Sequence, residues 1–260
     1  MMPEWKVKEQ ICDIGRRVWQ RGYVAANDGN FSVRVDENRV LATPTMVSKG
    51  FMEPDDIVTL DLEGNKIGGD RTPTSETKLH LQIYRERSDV NAVIHVHPPH
   101  ATAFAVAQVP LPKCVLPEVE LFLGEIPIAE YGTPGTQAFA NTIKPFLQDY
   151  NLYLLANHGS LALGDDLTQA YFRTEIVDQY CRILIYTRLL GGEKQITDDK
   201  MSELFQLKQN LGYSDPRLKP GGNTSCQIPS PIFNTKSDKS DEIVKIVTDV
   251  VKQVLSEREK

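Results

Sequence analysis

Two histidines at the end of a short apolar segment are the residues best placed to do chemistry in this chain. The segment NAVIHVHPP begins at residue 91 and carries His95 and His97, two residues apart. Because successive side chains of a strand point to opposite faces, both imidazoles would project from one face, beside Val93. Such a pair can chelate one metal ion. The alternative is two ordinary core histidines, but adjacent buried imidazoles would then compete for hydrogen-bond partners.

Two further candidate metal ligands lie elsewhere in the chain. His158 follows a second apolar stretch in the motif LLANHG, and Glu76 ends the motif PTSE. Three histidines and a glutamate suit zinc or a similar divalent ion better than calcium or magnesium, which prefer oxygen ligands. The remaining two of the five histidines, His80 and His100, fit a structural role or the orientation of a ligand.

Three polar loops have the composition of an anion-binding site. Gly29 and Asn30 end the motif NDGN, Thr45 ends TPT, and Thr74 and Ser75 precede a predicted helix. Backbone N–H groups near a glycine or at a helix N-terminus favour anions. Each loop also has a purely structural explanation, as a turn, a connection or a helix N-cap.

The elements that would position these residues interleave helices and hairpins. Helical spacing of apolar residues predicts a first helix ending near Gly22 and three more over residues 75–87, 101–107 and 167–190. Alternating or apolar runs predict strands over residues 31–35, 39–42, 57–61, 66–67, 126–129, 152–156 and 159–164, besides the strand that carries the histidine pair. Hairpins with covering helices predict an α/β fold with a mainly antiparallel sheet and helices on both faces.

Composition is that of an ordinary globular protein. The chain has 260 residues, 40% hydrophobic, and a formal net charge of −6, which argues against nucleic-acid and anionic-membrane partners. We expect a cytoplasmic protein, because no apolar run is long enough to span a bilayer or resembles a secretory signal. The scattered cysteines indicate neither a disulfide framework nor a thiolate zinc site: Cys12, Cys114, Cys181 and Cys226.

Taken together, the motifs occur in the order and approximate spacing of the class II aldolase/adducin family, which the chain resembles over roughly residues 4–213. The resemblance implies an aldolase domain over residues 1–214, folded as a three-layer α/β/α sandwich around an antiparallel sheet. It also implies a homotetramer with active sites at subunit interfaces. The implied reaction is cleavage of a ketose 1-phosphate of the fuculose or rhamnulose type to dihydroxyacetone phosphate and lactaldehyde.

The same resemblance implies roles for individual residues. One zinc ion per subunit would be held by His95, His97 and His158, and act as a Lewis acid toward the charge that develops during cleavage. Glu76 would ligate the resting metal and act as base or acid when substrate displaces it. The substrate phosphate would be bound by the residues of the three polar loops, Gly29, Asn30, Thr45, Thr74 and Ser75.

The chain departs from the family in two places. One concerns the residue that transfers the C4 hydroxyl proton, and the other concerns the TPT loop. Where the family has a tyrosine from a neighbouring subunit, residues 115–120 here contain none, so Glu118 or Glu120 is the candidate substitute. Tyr213 is the candidate match for a C-terminal tyrosine of the family. Met46 stands where the family has glycine after the TPT motif.

Two other functions are compatible with the same scaffold. A sugar-phosphate 4-epimerase or a sugar-acid phosphate decarboxylase would use the same metal ligands. The epimerase typically carries aspartate beside the metal, so Glu76 favours the aldolase. A noncatalytic domain like the head of adducin would lack the ligands, which are all present here.

The last part of the chain differs in composition. Residues 215–239 are rich in Pro, Gly and Ser and are predicted to be a flexible linker, followed by an amphipathic helix over residues 240–260. Its apolar face comprises Ile243, Ile246, Val247, Val250, Val251, Val254 and Leu255. This helix would either dock on its own tetramer or bind a separate partner. It resembles the encapsulation peptides that carry enzymes into bacterial microcompartments, which implies a shell protein as partner.

Overall fold

The computed structural model describes residues 2–226 of the chain. Its centre is a single eight-stranded sheet in the order β4-β3-β2-β1-β5-β8-β7-β6. The strands are β1 Asn30–Arg34, β2 Arg39–Ala42, β3 Val58–Asp61, β4 Lys66–Gly68, β5 Ala92–Val96, β6 Ile128–Ala129, β7 Leu152–Leu155 and β8 Gly159–Gly164. All neighbouring pairs are antiparallel except β6 and β7, which are parallel. The predicted mainly antiparallel sheet is confirmed.

Seven helices cover this sheet in the described part of the chain. They are α1 Glu4–Gln20, α2 Thr77–Glu86, α3 Pro99–Ala107, α4 Pro117–Phe122, α5 Gln137–Asn141, α6 Leu167–Leu189 and α7 Asp198–Asn210. Short 3-10 turns occur at Lys49–Phe51, Pro54–Asp56 and Pro216–Leu218. Across residues 2–226, no helix combines the length and the apolar character needed to cross a bilayer.

Side chains of the sheet alternate between two apolar layers. On one face, Phe31 and Ile94 pack with α1 and the start of α6, and farther along the sheet Leu154 packs with α3 and α6. On the other face, Val93 and Leu161 pack with α2 and α5. Helices therefore cover both faces, and the predicted three-layer α/β/α arrangement is confirmed.

The centre of the sheet carries the histidine pair. β5 lies between β1 and β8, and all five of its residues are buried. In the antiparallel register His95 is opposite Asn30 on one side and Leu161 on the other. His95 near the end of β5, the start of β1 and the turn before β8 therefore lie together where these central strands end.

Three helices were not predicted from the sequence. The helices α4 and α5 contain only six and five residues, too few to show a helical period. The helix α7 buries only Met201, Phe205 and Lys208, and its surface is largely charged, so its apolar signal is weak. None of the three carries a predicted metal ligand.

The predicted linker does not begin where the sequence placed it. Asp215, Arg217 and Cys226 are buried, so these residues are anchored in the domain, whereas residues 219–224 are exposed. Cys226 forms a disulfide with Cys114, 112 residues earlier, a pairing that the scattered cysteines of the sequence did not indicate. The reason is that long separation along the chain does not measure distance in the fold. The rest of the predicted linker and the amphipathic helix over residues 240–260 lie outside the described residues.

Candidate active site

The three predicted histidine ligands meet at one edge of the sheet. His95 stands in β5, His97 follows it by two residues, and His158 occupies the turn between β7 and β8. The Nε2 atom of His95 lies 3.1 Å from Nε2 of His97 and 3.3 Å from Nε2 of His158. One ligand nitrogen from each of the three side chains falls within a 4.8 Å cluster. The structure thus brings together residues separated by up to 63 positions in the chain.

Hydrogen bonds at the far side of two rings decide which nitrogen faces the cluster. His95 donates from Nδ1 to the carbonyl oxygen of Ser160 at 2.9 Å, and Nδ1 of His97 lies 3.1 Å from Oδ2 of Asp28. With the proton on Nδ1, each Nε2 presents a lone pair to the cluster. Burial lowers the pKa of His95 to about 3 and that of His158 to about 4, so both rings are neutral near pH 7.

The imidazole nitrogens are arranged like the ligands of a bound cation. The lone pairs of His95 and His97 face each other at 3.1 Å and repel, and a shared cation turns that repulsion into coordination. Imidazole nitrogens about 2.0–2.1 Å from a tetrahedral zinc ion lie about 3.3–3.4 Å apart, which matches the observed spacing. The three histidines therefore have the donor chemistry and spacing of a metal site.

Glu76 supplies a carboxylate to the same cluster. It stands at the N-terminus of α2, where its side chain is 7% exposed. Its Oε2 lies 3.4 Å from Nε2 of His95, and its Oε1 lies 3.6 Å from Nε2 of His158. Both oxygens are thus within reach of an ion shared by the histidines, as predicted for a resting-state ligand.

Two glycines make room for this geometry. A Cβ at Gly159 would lie 2.6 Å from Cδ2 of His97, so a larger residue would displace that ring. Gly29 adopts φ +70°, and its Cβ would lie 2.6 Å from Val24 and 3.2 Å from the carbonyl oxygen of His95. Glycine at both positions lets the loops approach the histidine strand.

The polar loops predicted to bind phosphate lie beside one another only in part. The N–H of Thr45 bonds the carbonyl of Thr72, and the N–H of Thr74 bonds that of Thr43, so these two segments are paired. Ser75 is exposed at the start of α2. In contrast, the side chain of Asn30 is buried and turned toward Glu76, with Nδ2 3.3 Å from Oε2. Phosphate binding by these loops stays a prediction.

Sequence reasoning did not single out two residues at the site. Asp28 orients His97, although the motif NDGN suggested an anion-binding loop or a turn. Lys49 is buried, and its Nζ donates to the carbonyls of Asn27 at 3.1 Å and Val47 at 2.7 Å, tying two polar loops together. Burial lowers the pKa of Lys49 to about 8. A lysine gives no sequence signal of burial, because lysines are ordinarily exposed.

The residues considered for transfer of the C4 hydroxyl proton lie in three different surroundings. Glu118 is exposed on α4, and the ring of Tyr213 packs against Phe122 with centroids 5.6 Å apart. Glu120 is buried and its Oε2 lies 2.7 Å from Nη1 of Arg217, so the suggestion that it handles a substrate proton is wrong. Its carboxylate is already committed to an ion pair within the subunit.

His100 has a structural role. Its Nδ1 lies 3.0 Å from Oδ2 of Asp178, whose other oxygen accepts the backbone N–H groups of His100 and Ala101. This carboxylate satisfies free donors at the start of α3.

Comparison with known proteins agrees with this geometry. Residues 9–185 match the model of the Class II Aldolase and Adducin N-terminal domain. The chain belongs to the class II aldolase/adducin family. With the family assigned and the triad in place, it is a metal-dependent enzyme of the class II aldolase type.

Individual members of the family give a finer comparison. An L-fuculose phosphate aldolase of Methanococcus maripaludis is 38% identical over 174 residues, covering 67% of this chain and 93% of the relative. A 3-oxo-tetronate 4-phosphate decarboxylase of Haemophilus influenzae is 32% identical over 209 residues, covering 78% and 98%. A solved L-fuculose 1-phosphate aldolase superposes with a TM-score of 0.72 at 28% identity, covering 80% and 97%.

Proposed function

We propose that this protein is a zinc-dependent aldolase that cleaves a ketose 1-phosphate of the fuculose or rhamnulose type to dihydroxyacetone phosphate and lactaldehyde. The observation that carries the proposal is the cluster of three Nε2 atoms with Glu76 beside it. The names of the aldolase relatives support the reaction and the substrate class. The donor set of three imidazoles and one carboxylate supports zinc.

Each site residue has a task in this reaction. His95, His97 and His158 would hold the zinc ion, which when bound would supply Lewis-acid stabilisation of the negative charge that develops as the C3–C4 bond breaks. Glu76 moves the proton at C1 of the three-carbon product, giving it up during cleavage and taking it back during synthesis. Ser160 and Asp28 hold two of the imidazoles in the tautomer that binds the cation.

The substrate phosphate would lie against the polar loops. Of the predicted set, Gly29 and Ser75 would contribute backbone N–H groups, and Thr45, Thr74 and Ser75 would contribute hydroxyls, because the N–H groups of Thr45 and Thr74 already bond backbone carbonyls. Lys49, whose Nζ donates to the carbonyls of Asn27 and Val47, adds a buried positive charge that favours an anion beside these loops. Asn30 belongs to the same loop, but its amide is already bonded to Glu76, so we assign it to the catalytic carboxylate.

The proton of the C4 hydroxyl needs a different group, which takes it during cleavage and returns it during synthesis. We assign it to Glu118 or Tyr213, reaching the site of a neighbouring subunit in a homotetramer, since neither lies in the cluster built by this subunit. Glu118→Gln should then slow cleavage while leaving proton exchange at C1 unchanged. Equal loss of both activities would contradict this role, and sedimentation of the purified protein tests the tetramer.

A second candidate reaction is decarboxylation of a 3-oxo sugar-acid phosphate, favoured by the similarity to the Haemophilus influenzae relative. Both reactions break a carbon–carbon bond beside a carbonyl group and leave the same kind of charge to stabilise. A 4-epimerase has less support, because Glu76 is not the aspartate expected there.

One experiment separates the candidates. Zinc-loaded and chelator-treated protein would be incubated with a panel of ketose 1-phosphates and with a 3-oxo sugar-acid phosphate. The aldolase proposal predicts zinc-dependent release of dihydroxyacetone phosphate from at least one ketose. Release of carbon dioxide from the sugar acid alone would establish the decarboxylase, and turnover unaffected by complete metal removal would contradict both.

We further propose that the amphipathic helix predicted from the sequence over residues 243–255 binds a microcompartment shell protein and directs the enzyme inside. The support is its sequence pattern, an amphipathic segment after a linker. Deleting residues 238–260 should leave aldolase activity intact and abolish packaging. Fusing residues 240–260 to a fluorescent protein should direct it to shells; a diffuse signal in cells with assembled shells would contradict the proposal.

A further inference from the structure

A chain of buried polar side chains leads from the core to Glu76. Asn30 and Ser32 project from β1, and His80 and Tyr84 project from α2 toward the same face of the sheet. His80 lies between the two β1 residues: its Nε2 is 2.7 Å from Oδ1 of Asn30, and its Nδ1 is 2.6 Å from Oγ of Ser32. None of these four side chains belongs to the histidine cluster that would hold the metal.

The positions of the protons in this chain follow from the chemistry of its members. The Oδ1 atom of Asn30 carries no proton, so Nε2 of His80 must donate to it. Burial lowers the pKa of His80 to about 3, so the ring is neutral and has a single N–H. Its Nδ1 is therefore an acceptor, and the hydroxyl of Ser32 donates to it.

The far end of the chain is closed by Tyr84. Its hydroxyl donates to the carbonyl oxygen of Ser32 at 2.9 Å and lies 2.8 Å from Oγ of the same residue. With its proton directed to these oxygens, Tyr84 leaves the Ser32 hydroxyl free to donate toward His80. The chain thus has a direction, from Ser32 through His80 to Asn30.

At its near end the chain decides which atom Asn30 presents to Glu76. With Oδ1 bonded to His80, the Nδ2 atom faces Oε2 of Glu76 at 3.3 Å. A reversed amide would place a carbonyl oxygen against the carboxylate, which repels it. We infer that Ser32 and His80 are positioning residues that lock the Asn30 amide as a donor to Glu76 and so hold its carboxylate toward the metal cluster.

The catalytic meaning of this inference rests on the proposed function, since it takes Glu76 as the group that moves the C1 proton. The geometry itself does not depend on that function. A buried histidine is costly compared with an apolar residue unless its hydrogen bonds are used, and both ring nitrogens of His80 are used here.

The same helix offers a matched control. Gln82 is also buried in α2, but its amide donates to the carbonyl of Ala140 and accepts from Gln137, away from Glu76. Gln82→Leu and His80→Leu each remove one buried polar group from α2. A loss that is merely structural would affect both variants alike.

The first test reads the proton positions directly. Full-length, zinc-loaded protein labelled with ¹⁵N-histidine would be studied by NMR, with the His80 signals assigned from their absence in His80→Gln. We expect the Nε2–H tautomer at His80, with the Nδ1 chemical shift changed in Ser32→Ala because Nδ1 loses its hydrogen-bond donor. The Nδ1–H tautomer in the wild type would overturn the inference whatever reaction the enzyme catalyses.

The second test measures hydrogen exchange at C1 of dihydroxyacetone phosphate, together with zinc per subunit. We expect His80→Leu to lower the maximal exchange rate about 10–100-fold, the usual effect of losing a group that orients a metal-site residue, with KM and zinc content unchanged. Ser32→Ala should lower it less, His80→Gln should recover part of it, and Gln82→Leu should not change it.

The outcomes separate the inference from the proposed function. Wild-type exchange retained in folded Ser32→Ala and His80→Leu would overturn the inference while leaving the aldolase intact. If the zinc-loaded wild type itself exchanges no C1 hydrogen, the proposed function fails, and the tautomer of His80 still decides whether the chain holds Asn30. If His80→Leu does not fold, Ser32→Ala, which changes a smaller side chain, carries the kinetic test.

Discussion

Two of the buried polar clusters in the domain differ in how their charges and lone pairs are matched. In the charged cluster, defined by Glu120, Lys208, Asp215 and Arg217, every ion-pair distance is 2.7 Å. In the histidine cluster, defined by Glu76, His95, His97 and His158, the closest contacts are between imidazole Nε2 atoms at 3.1 and 3.3 Å, and in the shorter one two lone pairs face each other. Burial of polar groups alone does not mark a functional site. A functional site is indicated when the buried groups repel each other until a cation is bound.

The charged cluster accounts for a structural feature. It joins α4, α7 and the segment after residue 215, and the disulfide between Cys114 and Cys226 connects the same region. Burial opposes ionisation of Asp215, but the hydrogen bond and charge of Arg217 outweigh it and lower the pKa to about 2. The cluster is complete without a ligand, so we expect it to stabilise the domain and take no part in catalysis.

The largest effect that separates the clusters should come from Glu76→Gln. The amide keeps the size of the side chain but cannot take a proton, so C1 exchange should fall about 10²–10⁴-fold, the usual contribution of a general base. Zinc per subunit should change little, because three histidines remain. Exchange assays with the surface variant Glu203→Gln as control would check this. Undiminished exchange in Glu76→Gln would remove it as the base.

Arg217→Met should affect stability instead. It leaves Glu120 without its buried partner, which costs about 3–5 kcal/mol of unfolding free energy. Arg71→Met, which breaks an exposed pair with Asp56, is the control and should cost no more than about 1 kcal/mol. Urea unfolding measures both. Equal losses in the two variants would show that the charged cluster does not stabilise the fold as described.

Asp28→Ala tests the orientation of one metal ligand. Without the carboxylate at Nδ1, His97 can rotate or change tautomer, and zinc affinity should fall about 10–100-fold. Asp28→Asn, which retains an acceptor, should lie between Asp28→Ala and the wild type. Competition with a zinc chelator gives the affinities, and an unchanged Kd in Asp28→Ala would show that this contact is incidental.

The two clusters should also respond to acid in different pH windows. The folded pKa values of His95 and His158 are about 3 and 4, below the unfolded value, so the unfolded chain binds more protons. Metal-free protein should thus lose stability as pH falls below about 6.5, by up to about 1.4 kcal/mol per pH unit for each imidazole. Asp215 has a depressed pKa too, but its contribution is lost only below about pH 4. Urea unfolding from pH 7.5 to 4.5 with constant stability would contradict this assignment.

The contrast between the clusters also explains what could be predicted from the sequence. His95 and His97 were predictable because strand periodicity places two residues spaced by two on one face. His158 and Glu76 were predictable because they occur in recognisable motifs, LLANHG and PTSE. The core strands and long helices were predictable from their hydrophobic periods, whereas α4 and α5 are too short to show one.

The remaining features depend on contacts that no local pattern encodes. Arg217 and Glu120 pair across 97 positions of the chain, and nothing in either neighbourhood shows that they are buried. Similarly, Asn30 had a plausible role in a phosphate loop until the position of His80, 50 residues away, showed what its side chain bonds. The direction of a side chain across a sheet is a tertiary property, and sequence spacing does not supply it.

The central claim is that three histidines form a metal centre on which catalysis depends. Its most direct test is zinc titration of metal-free wild-type protein and His97→Ala by calorimetry, with ketose 1-phosphate cleavage measured on the same samples. We predict one zinc per subunit in the wild type, with activity rising in proportion to bound zinc, and weaker binding with no recovered activity in His97→Ala. Full turnover by metal-free protein, or normal activity in His97→Ala without bound metal, would contradict the claim.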